Sequence, residues 1–394
     1  MPIYLDHAAT TPMRREVLDA MVPLLGDAFG NPSSAHAEGR RARAALDDAH
    51  ERLAAALNAE AREIVFTSGG TEAINLALKG AAWAAKSHGN RIITSAVEHH
   101  AVLHTLRYLE KFGFEIVELP VDRYGRLDPE QLEASLNDRT VLVSLLLANN
   151  EIGTVQPLPE LIRRVRAHRR VVIHLDAVQA APYMALDVQS LDVDLLSLAA
   201  HKFEGPKGVG ALYIRHKTVI LPQQQGGNQE RYRRPGTENV AGAVGMAIAY
   251  ELCCAERDET VGRLAALRDR LRDAVLAVPG VEVTGHPRKR LPGHLSIIAR
   301  DTDGEAIALA LDLEGICCSV GSACTTGSTE ASHVLTALGY PEEEARGALR
   351  LSLGRTNTPA EIEQAAAIVP TTIARMRVAS AAVSADPLGE QVGA

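Results

Sequence analysis

Runs of hydrophobic residues alternate along the chain with stretches in which apolar residues recur every three or four positions. Stretches of the second kind, as at 71–86 and 157–168, are typical of helices that bury one face, whereas short runs of Val, Ile and Leu are typical of buried strands. The strand-like runs are 64–67, 91–95, 115–119, 141–147, 171–175, 193–198 and 209–214. This alternation predicts an α/β fold with a mostly parallel sheet that helices cover on both faces.

The pattern changes near residue 262. A charged segment of helical period, 263–278, leads to strand candidates at 281–283 and 294–298 and to a further helix at 305–313. These elements predict a smaller α+β domain. From 379 to 394 the residues are small and polar without period, which predicts a disordered tail.

Composition narrows the classes of function. The chain has 394 residues, a formal charge of −8 and a pI near 6.0, so it offers no basic field for nucleic acid or an anionic membrane surface. We expect a cytoplasmic protein, because the sequence shows neither a basic leader with an apolar core nor a run of about 18 uncharged apolar residues. Five cysteines without a CxxC pair predict neither a disulfide framework nor a thiolate zinc site.

Polar residues follow most of the predicted strands. Ligands of open α/β sheets bind beyond the carboxyl ends of the strands, so these residues are the candidates for chemistry. They are Ser68-Gly69-Gly70-Thr71-Glu72, Glu98-His99-His100, Asn149-Asn150-Glu151, Asp176-Ala177-Val178-Gln179 and His201-Lys202.

Two of these groups suit parts of an anionic, ring-containing cofactor. The glycine turn before Thr71 can offer backbone N–H groups to a phosphate, although a plain N-cap explains it equally well. Asp176 ends an apolar strand, where a buried carboxylate needs a cation such as a protonated pyridine nitrogen, or serves as an N-cap or in a salt bridge. Gln179 is placed to bond a ring oxygen, or is a surface residue. The turn lacks the lysine of a Walker loop and the spacing of a dinucleotide site.

A lysine and two histidines stand at the same predicted edge. Lys202 is a candidate for covalent attachment of a carbonyl cofactor; Lys207 is its rival, but only Lys202 has an adjacent histidine. His99 and His100 are neighbours at a helix start, so only one of them can face the site. A metal site on His174 and Asp176 lacks an evident third ligand.

The cysteines differ in their surroundings. The pairs 253–254 and 317–318 lie in helical or apolar segments and are predicted to fill the core. Cys324 lies among small residues, from Ser319 to Ser328, as expected for a thiol that can approach a ligand.

These segments together resemble the NifS/IscS-type cysteine desulfurases, which are pyridoxal-phosphate enzymes of the class V aminotransferase-like family with the fold type I architecture. The resemblance extends from Tyr4 to about Arg375. It rests on Glu98-His99, Asn149-Asn150-Glu151-Ile152-Gly153, His201-Lys202 and Gly321-Ser322-Ala323-Cys324, which occur in family order. It implies a large cofactor-binding domain at 15–262 with a seven-stranded sheet, and a small domain made of 1–14 and 263–378.

The resemblance also implies roles for individual residues. Lys202 would hold the cofactor, Cys324 would receive sulfur, and His99 would stack on the ring and act as acid or base. The other cofactor-binding residues would be Gly70, Thr71, Asn150, Asp176, Gln179, His201 and Thr237. Asn150 and Arg350 would bind the substrate carboxylate, with Arg355 as the alternative arginine, and no metal is implied. Thr237 corresponds to the threonine that reaches the phosphate of the neighbouring subunit, which implies a homodimer.

The implied reaction converts L-cysteine to L-alanine and leaves a persulfide on Cys324. The sulfur would pass to an iron–sulfur scaffold or another acceptor protein. The alternatives are an aminotransferase or selenocysteine lyase of the same fold, or a cofactor-bound scaffold without turnover. One departure stands out: the family often has Ser or Thr where this chain has Ala199, so one hydroxyl that would contact the phosphate is missing.

Overall fold

The computed structural model describes residues 2–168, 170–321 and 331–385. In these ranges the strands are β1 (Ile3–Tyr4), β2 (Ile64–Thr67), β3 (Arg91–Ser95), β4 (Glu115–Leu119), β5 (Thr140–Leu146), β6 (Val172–Asp176), β7 (Leu195–Ala199), β8 (Gly210–Ile214), β9 (Val281–Val283), β10 (His294–Ala299), β11 (Ile316–Cys317) and β12 (Ala348–Ser352). The α-helices are α1 (Arg15–Leu25), α2 (Ala37–Leu57), α3 (Gly70–Ala85), α4 (His100–Glu110), α5 (Pro129–Ser135), α6 (Leu158–Arg166), α7 (Val188–Leu191), α8 (Val240–Leu276), α9 (Gly304–Leu313), α10 (His333–Ala337), α11 (Glu342–Ala345) and α12 (Pro359–Ala385).

Seven strands form the central sheet in the order β2-β8-β7-β6-β5-β3-β4. The pairs from β7 to β4 are parallel, and β8 is antiparallel to both of its neighbours. Each of the seven strand-like runs in the sequence corresponds to one of these strands. The predicted fold class, with its mostly parallel seven-stranded sheet, is therefore confirmed.

Both faces of the central sheet are buried, which explains why its strands are apolar runs without strict alternation. Successive residues of a strand point to opposite faces. Ile93 and Leu196 accordingly belong to one hydrophobic cluster, whereas Ile92 and Leu195 belong to another across the sheet. Helices on both faces complete the two clusters, with Leu46 of α2 in the first and Leu78 of α3 in the second.

A second core is built from both ends of the chain. The antiparallel sheet β12-β10-β9 and the parallel pair β1-β11 pack with α12 and with the second half of α8. Ile3 and Leu5 from the first residues of the chain share this core with Leu267 of α8 and Ile373 of α12. Helix α8 is continuous over 37 residues, so the predicted domain boundary at 262 lies within it. The division into two domains stays a prediction.

The predicted tail is wrong in its first residues. Helix α12 continues to Ala385, so residues 379–385 are helical, and 386–394 lie outside the described residues. Alanine carries the highest helix propensity, which lets this segment extend a helix that is already packed. In the part of the chain that the structure describes, no helix has both the length and the apolar character needed to cross a bilayer.

Candidate active site

A cavity of about 370 Å³ opens at the carboxyl ends of the central strands. Its size is within the range of small-molecule sites. Nine residues that the sequence singles out line it: Gly70, Thr71, His99, Asn150, Asp176, Gln179, His201, Lys202 and Arg350. Parallel strands that end at one edge bring these residues together from positions far apart in the sequence.

Asp176 is the last residue of β6 and is almost fully buried. Its Oδ1 accepts a hydrogen bond from the backbone N–H of Val178 at 3.0 Å. Burial raises the pKa of Asp176 to about 6, although the Val178 N–H and the charge of Lys202 act in the opposite direction. A carboxyl group held in this way would be ionised more readily beside a cationic ligand.

Lys202 lies in a short 3₁₀ turn, Ala200–Lys202, directly after β7. Its Nζ donates hydrogen bonds to the carbonyl oxygens of Ala8 and Ala9, at 2.5 and 2.8 Å. The rival Lys207 is exposed and does not line the cavity. The amine available to a carbonyl ligand in this cavity is therefore that of Lys202.

His99 is the N-cap of α4, and its Nδ1 accepts a hydrogen bond from the Ala101 N–H at 3.1 Å. Burial and, to a smaller extent, the charge of Lys202 lower the pKa of His99 to about 4. The ring is therefore neutral at pH 7 and suited to stack on an aromatic ligand or to exchange a proton. His100 does not line the cavity; its ring centroid lies 4.6 Å from that of His333. One histidine of the pair faces the site, as predicted.

The N-terminus of α3 opens into the cavity at Gly70 and Thr71. A β-carbon on Gly70 would lie 3.0 Å from Cγ2 of Val178 and 3.4 Å from Cβ of Ala199, so glycine keeps this end of the cavity open. Free N–H groups at a helix start bind anions. His201 lines the same cavity, and burial lowers its pKa to about 4. Its Nδ1 lies 3.2 Å from Oγ1 of Thr10.

Arg350 lies on β12 and is 1% exposed, so it is a buried arginine. Its Nη1 donates to the carbonyl oxygen of Asn150 at 3.0 Å, and its Nη2 donates to Oδ1 of Asp6 at 2.9 Å. Its Nε has no hydrogen-bond partner among the described residues, so it is a donor for a ligand such as a carboxylate. The alternative, Arg355, pairs with Glu204 outside this cavity.

Sequence reasoning missed the contribution of the N-terminal segment. Ala8 and Ala9 line the cavity, and the Ala8 carbonyl oxygen accepts hydrogen bonds from both Lys202 and Gln179. These contacts use backbone atoms, and no pattern of side chains marks them in the sequence. Glu98 is a further polar group near the site, and burial raises its pKa to about 8. Glu98 is one of the polar residues that the sequence places after a strand, but the sequence assigns it no role of its own.

Among the described residues, one predicted site residue, Thr237, does not line this cavity. Thr237 is exposed in the segment before α8. Cys324 lies outside the described residues.

Of the two cysteine pairs predicted to fill the core, only Cys253 is buried, whereas Cys254, Cys317 and Cys318 are half-buried, so that prediction is wrong for three of the four. Burial raises the pKa of Cys253 and Cys318 to about 12, so these two thiols stay protonated.

The structure gives no support to a metal centre. His174 is fully buried, with Nδ1 and Nε2 each 2.9 Å from a serine hydroxyl, those of Ser144 and Ser197. Burial lowers the pKa of His174 to about 3. Within residues 2–168, 170–321 and 331–385, no group of three or more His, Cys, Asp or Glu side chains is arranged to hold a metal ion.

The cavity residues fit pyridoxal phosphate by their chemistry. Asp176 is a buried carboxyl that a protonated pyridine nitrogen would complement. Lys202 offers an amine for an aldehyde, and the start of α3 offers N–H groups for a phosphate.

Known proteins resemble this chain over nearly its whole length. The family described as aminotransferase class-V matches residues 3–365. A cysteine desulfurase IscS from Methanosarcina thermophila is 48% identical over 375 residues, which are 95% of this chain and 93% of that protein. A solved structure of a NifS-like protein has a TM-score of 0.90 at 36% identity and covers 95% of this chain and 100% of its own. The structure of SspA in complex with cysteine has a TM-score of 0.80 at 33% identity and covers 90% of this chain and 100% of its own.

Proposed function

The chain belongs to the aminotransferase class-V family, and on this premise we propose that it is a pyridoxal-phosphate-dependent cysteine desulfurase. The observation that carries this proposal is the meeting of Lys202, Asp176 and Arg350 in one cavity. An amine, a buried acid and a buried guanidinium together suit a carbonyl cofactor and the carboxylate of an amino acid. The relatives named cysteine desulfurase and the neighbour whose structure is a complex with cysteine favour L-cysteine as that amino acid.

The residues of the cavity divide the work of binding. Gly70, Thr71 and His201 would hold the phosphate, Asp176 the ring nitrogen and Gln179 the ring oxygen. Pyridoxal phosphate, when bound, supplies an electron sink for the charge that develops on an amino-acid substrate. Arg350 and Asn150 would orient the substrate carboxylate.

Three side chains would carry out the proton and sulfur transfers. The Lys202 amine would move a proton at the substrate Cα, and the neutral His99 imidazole would exchange a proton at the sulfur. The thiolate of Cys324 would attack the substrate sulfur, so that the C–S bond breaks and an S–S bond forms on Cys324. The carbon that loses sulfur takes up a proton, and L-alanine leaves.

Partners, assembly and location complete the proposal. The persulfide on Cys324 would pass to an iron–sulfur scaffold or another sulfur-acceptor protein. Thr237, exposed in the single chain, would act in the site of a second copy in a homodimer. The cytoplasm is the proposed location.

The test is the fate of L-cysteine. Wild-type protein with cofactor, L-cysteine and a dithiol should release alanine and sulfide in equal amounts, and mass spectrometry should find added sulfur on the peptide that contains Cys324. Cys324→Ser should bind cofactor yet form no persulfide, because a hydroxyl is far less acidic and nucleophilic than a thiol. A selenocysteine lyase would act on selenocysteine alone, and an aminotransferase would release a keto acid.

The lysine assignment has a matched control in the same loop. Lys202→Ala should lose the borohydride-reducible cofactor adduct, whereas Lys207→Ala should keep both the adduct and the activity. Sulfur on Cys253, Cys254, Cys317 or Cys318 in place of Cys324 would contradict the proposed nucleophile.

A further inference from the structure

The carboxyl group of Glu151 is buried between Gly321 and Ser332, which lie on the two sides of positions 322–330. Oγ of Ser332 donates a hydrogen bond to Oε2 of Glu151 at 2.5 Å. A β-carbon placed on Gly321 would lie 3.2 Å from the same oxygen. The carboxyl oxygen that accepts from Ser332 therefore also lies close to Gly321, on the other side of positions 322–330.

The chain just before positions 322–330 is tied to Arg350. Ser319 and Arg350 exchange two backbone hydrogen bonds, at 3.2 and 2.7 Å. Gly321 follows two residues later and packs on Glu151. The backbone before 322 is thus fixed to the strand that carries the proposed substrate-binding arginine.

The other side of the connection runs through the turn at Asn149. Oδ1 of Asn149 accepts hydrogen bonds from the N–H groups of Glu151 and Ile152, at 2.8 and 2.9 Å, and its Nδ2 donates to the Val97 carbonyl at 2.9 Å. The next carbonyl, that of Asn150, accepts the hydrogen bond from Nη1 of Arg350. The turn that presents the Glu151 carboxyl is therefore held rigidly and is bonded directly to the Arg350 guanidinium.

A carboxyl group is a costly choice for this position. Glu151 is 2% exposed, and burial raises its pKa, although the hydrogen bond from Ser332 and the charge of Arg350 act in the opposite direction. An apolar side chain would avoid the desolvation cost, so packing alone does not account for a glutamate here. An apolar side chain could not accept the hydrogen bond that Ser332 donates. The Ser332 hydroxyl also caps α10, because it accepts a hydrogen bond from the Leu335 N–H.

We propose that Glu151 is a positioning residue, which holds Gly321 and Ser332, on the two sides of positions 322–330, relative to the guanidinium of Arg350. Because Arg350 would orient the substrate and Cys324 is one of these positions, Glu151 sets the geometry of sulfur transfer without touching substrate or cofactor. This inference rests on the proposed function. It is consistent with the absence of Glu151 from the lining of the cavity, in the part of the chain that the structure describes.

A double-mutant cycle on the holoenzyme tests the role. Glu151→Ala and Ser332→Ala should each lower kcat about tenfold, the effect of losing a hydrogen bond that holds the reacting geometry. KM for L-cysteine and the cofactor Kd should stay within about twofold. The double variant should be no slower than either single variant, because both remove the same contact. Glu151→Gln should restore most of kcat, since its amide oxygen can accept from Ser332.

Thr336→Ala is the matched control, since its hydroxyl lies on the same helix but bonds only the Ser332 carbonyl and is exposed. It should leave kcat unchanged. Additive losses in the double variant, or a loss of cofactor binding that parallels the loss of kcat, would overturn the inference.

A second readout on the apoprotein separates this inference from the proposed function. In the apoprotein, the rate at which iodoacetamide alkylates Cys324 is measured. Glu151→Ala and Ser332→Ala should change this rate by the same factor, and the double variant should show no further change. Thr336→Ala should leave the rate unchanged. If the wild type formed no alanine, but the two single variants and the double variant still changed the alkylation rate by the same factor, the proposed function would fail and the positioning role would stand. If alanine formed normally and all rates were equal, the positioning role alone would fail.

Discussion

The carboxyl group of Asp176 is buried at the end of β6, and burial raises its pKa from 3.8 to about 6. Well below pH 4 the carboxyl is protonated in both folded and unfolded protein, so it does not lower the free energy of unfolding. Between pH 4 and 6 the folded protein binds the proton more tightly, so stability falls as pH rises, and above pH 6 the whole cost is present. At neutral pH the buried Asp176 carboxylate therefore destabilises the protein without cofactor, although the same carboxylate suits a cationic ligand.

Asp176→Asn should therefore stabilise the apoprotein at pH 7.5, by about 1–3 kcal/mol in the free energy of unfolding, and by no more than about 0.5 kcal/mol at pH 4. The same variant should bind pyridoxal phosphate more weakly, because the amide carries no charge for the ring nitrogen. Urea denaturation at the two pH values and a spectrophotometric cofactor titration measure both effects. Asp187→Asn is the control: Asp187 is an exposed N-cap whose pKa is lowered by the N–H groups that it accepts from, so its removal should not stabilise. Equal stabilisation at both pH values would contradict the argument.

Ala199 stands where the family resemblance leads us to expect a hydroxyl side chain. Its side chain lines the cavity next to Gly70, at the end where α3 begins. Ala199→Ser should lower the cofactor Kd up to about tenfold, because a hydroxyl there would add one hydrogen bond to the phosphate. Equilibrium titration of the apoprotein measures it.

The opposite change is available in the same cavity. Thr71→Val removes a hydroxyl while keeping the shape of the side chain, and it should raise the Kd. No change in either variant would show that backbone N–H groups alone hold the phosphate.

A buried ion network connects elements that are distant in sequence. Nε of Arg14 donates to Oε2 of Glu204 at 2.6 Å, and Arg14 also forms a bidentate pair with Glu256 of α8. Nε of Arg355, which follows β12, reaches the same Glu204 oxygen at 2.8 Å. Glu204 lies two residues after Lys202, so the network fixes the lysine loop to the start of α1, to α8 and to the end of β12.

Glu204→Ala should lower the free energy of unfolding by about 2–4 kcal/mol, because it leaves the almost fully buried Arg14 with one acidic partner in place of two. Asp47→Ala is the matched control, since Asp47 pairs with Arg43 on the surface of α2, and it should cost less than about 1 kcal/mol. Urea denaturation of the apoproteins compares them. Equal losses would show that burial does not decide the strength of these pairs.

The hydrophobic pattern predicts single helices and strands well, but it fails where one element packs against different parts of the protein along its length. Strand β8 is apolar on both sides because helices cover both faces of the sheet, with Tyr213 in one hydrophobic cluster and Leu212 in the other, so its run is easily recognised. Helix α8 buries Met246 in the core around the central sheet and Leu271 in the second core. Its apolar face therefore turns along its length, and the sequence suggests a break near 262 where the helix is continuous. Segment 379–385 shows no apolar period because its helical state depends on continuing α12.

At the scale of the whole molecule, the site could be predicted where it follows the ends of strands. Lys202 and Asp176 each come directly after or at the end of a recognisable strand, and parallel pairing brings such ends together. The N-terminal segment could not be placed in this way. Pairing of β1 with β11 brings the N-terminal segment to the cavity. As a result, Asp6 forms an ion pair with Arg350, and the Ala8 carbonyl oxygen accepts a hydrogen bond from Lys202.

Thr237 raises the question of whether one chain makes a complete site. Nε of Arg234 pairs with Oε1 of Glu72 at 2.8 Å, which fixes this segment to the first turn of α3. Thr237 itself is exposed and does not line the cavity of its own chain. A hydroxyl presented on a rigid surface segment suits a role in the site of a second copy, as the family resemblance implies.

Thr237→Ala should therefore leave a dimer intact and raise the cofactor Kd, and mixed dimers should reveal which site the hydroxyl serves. In a hybrid of one Lys202→Ala subunit and one Thr237→Ala subunit, the second subunit keeps Lys202 and would receive Thr237 from the first. If Thr237 acts across the interface, this hybrid has one wild-type site and binds cofactor at half occupancy with wild-type affinity. If Thr237 acts in its own chain, the only site with a lysine lacks the threonine, and the affinity stays weak. Thr371→Ala, an exposed threonine on α12, replaces Thr237→Ala in the control hybrid and should give the wild-type affinity in either case. Sedimentation of the variants establishes the assembly, and a fully active monomer would contradict the prediction.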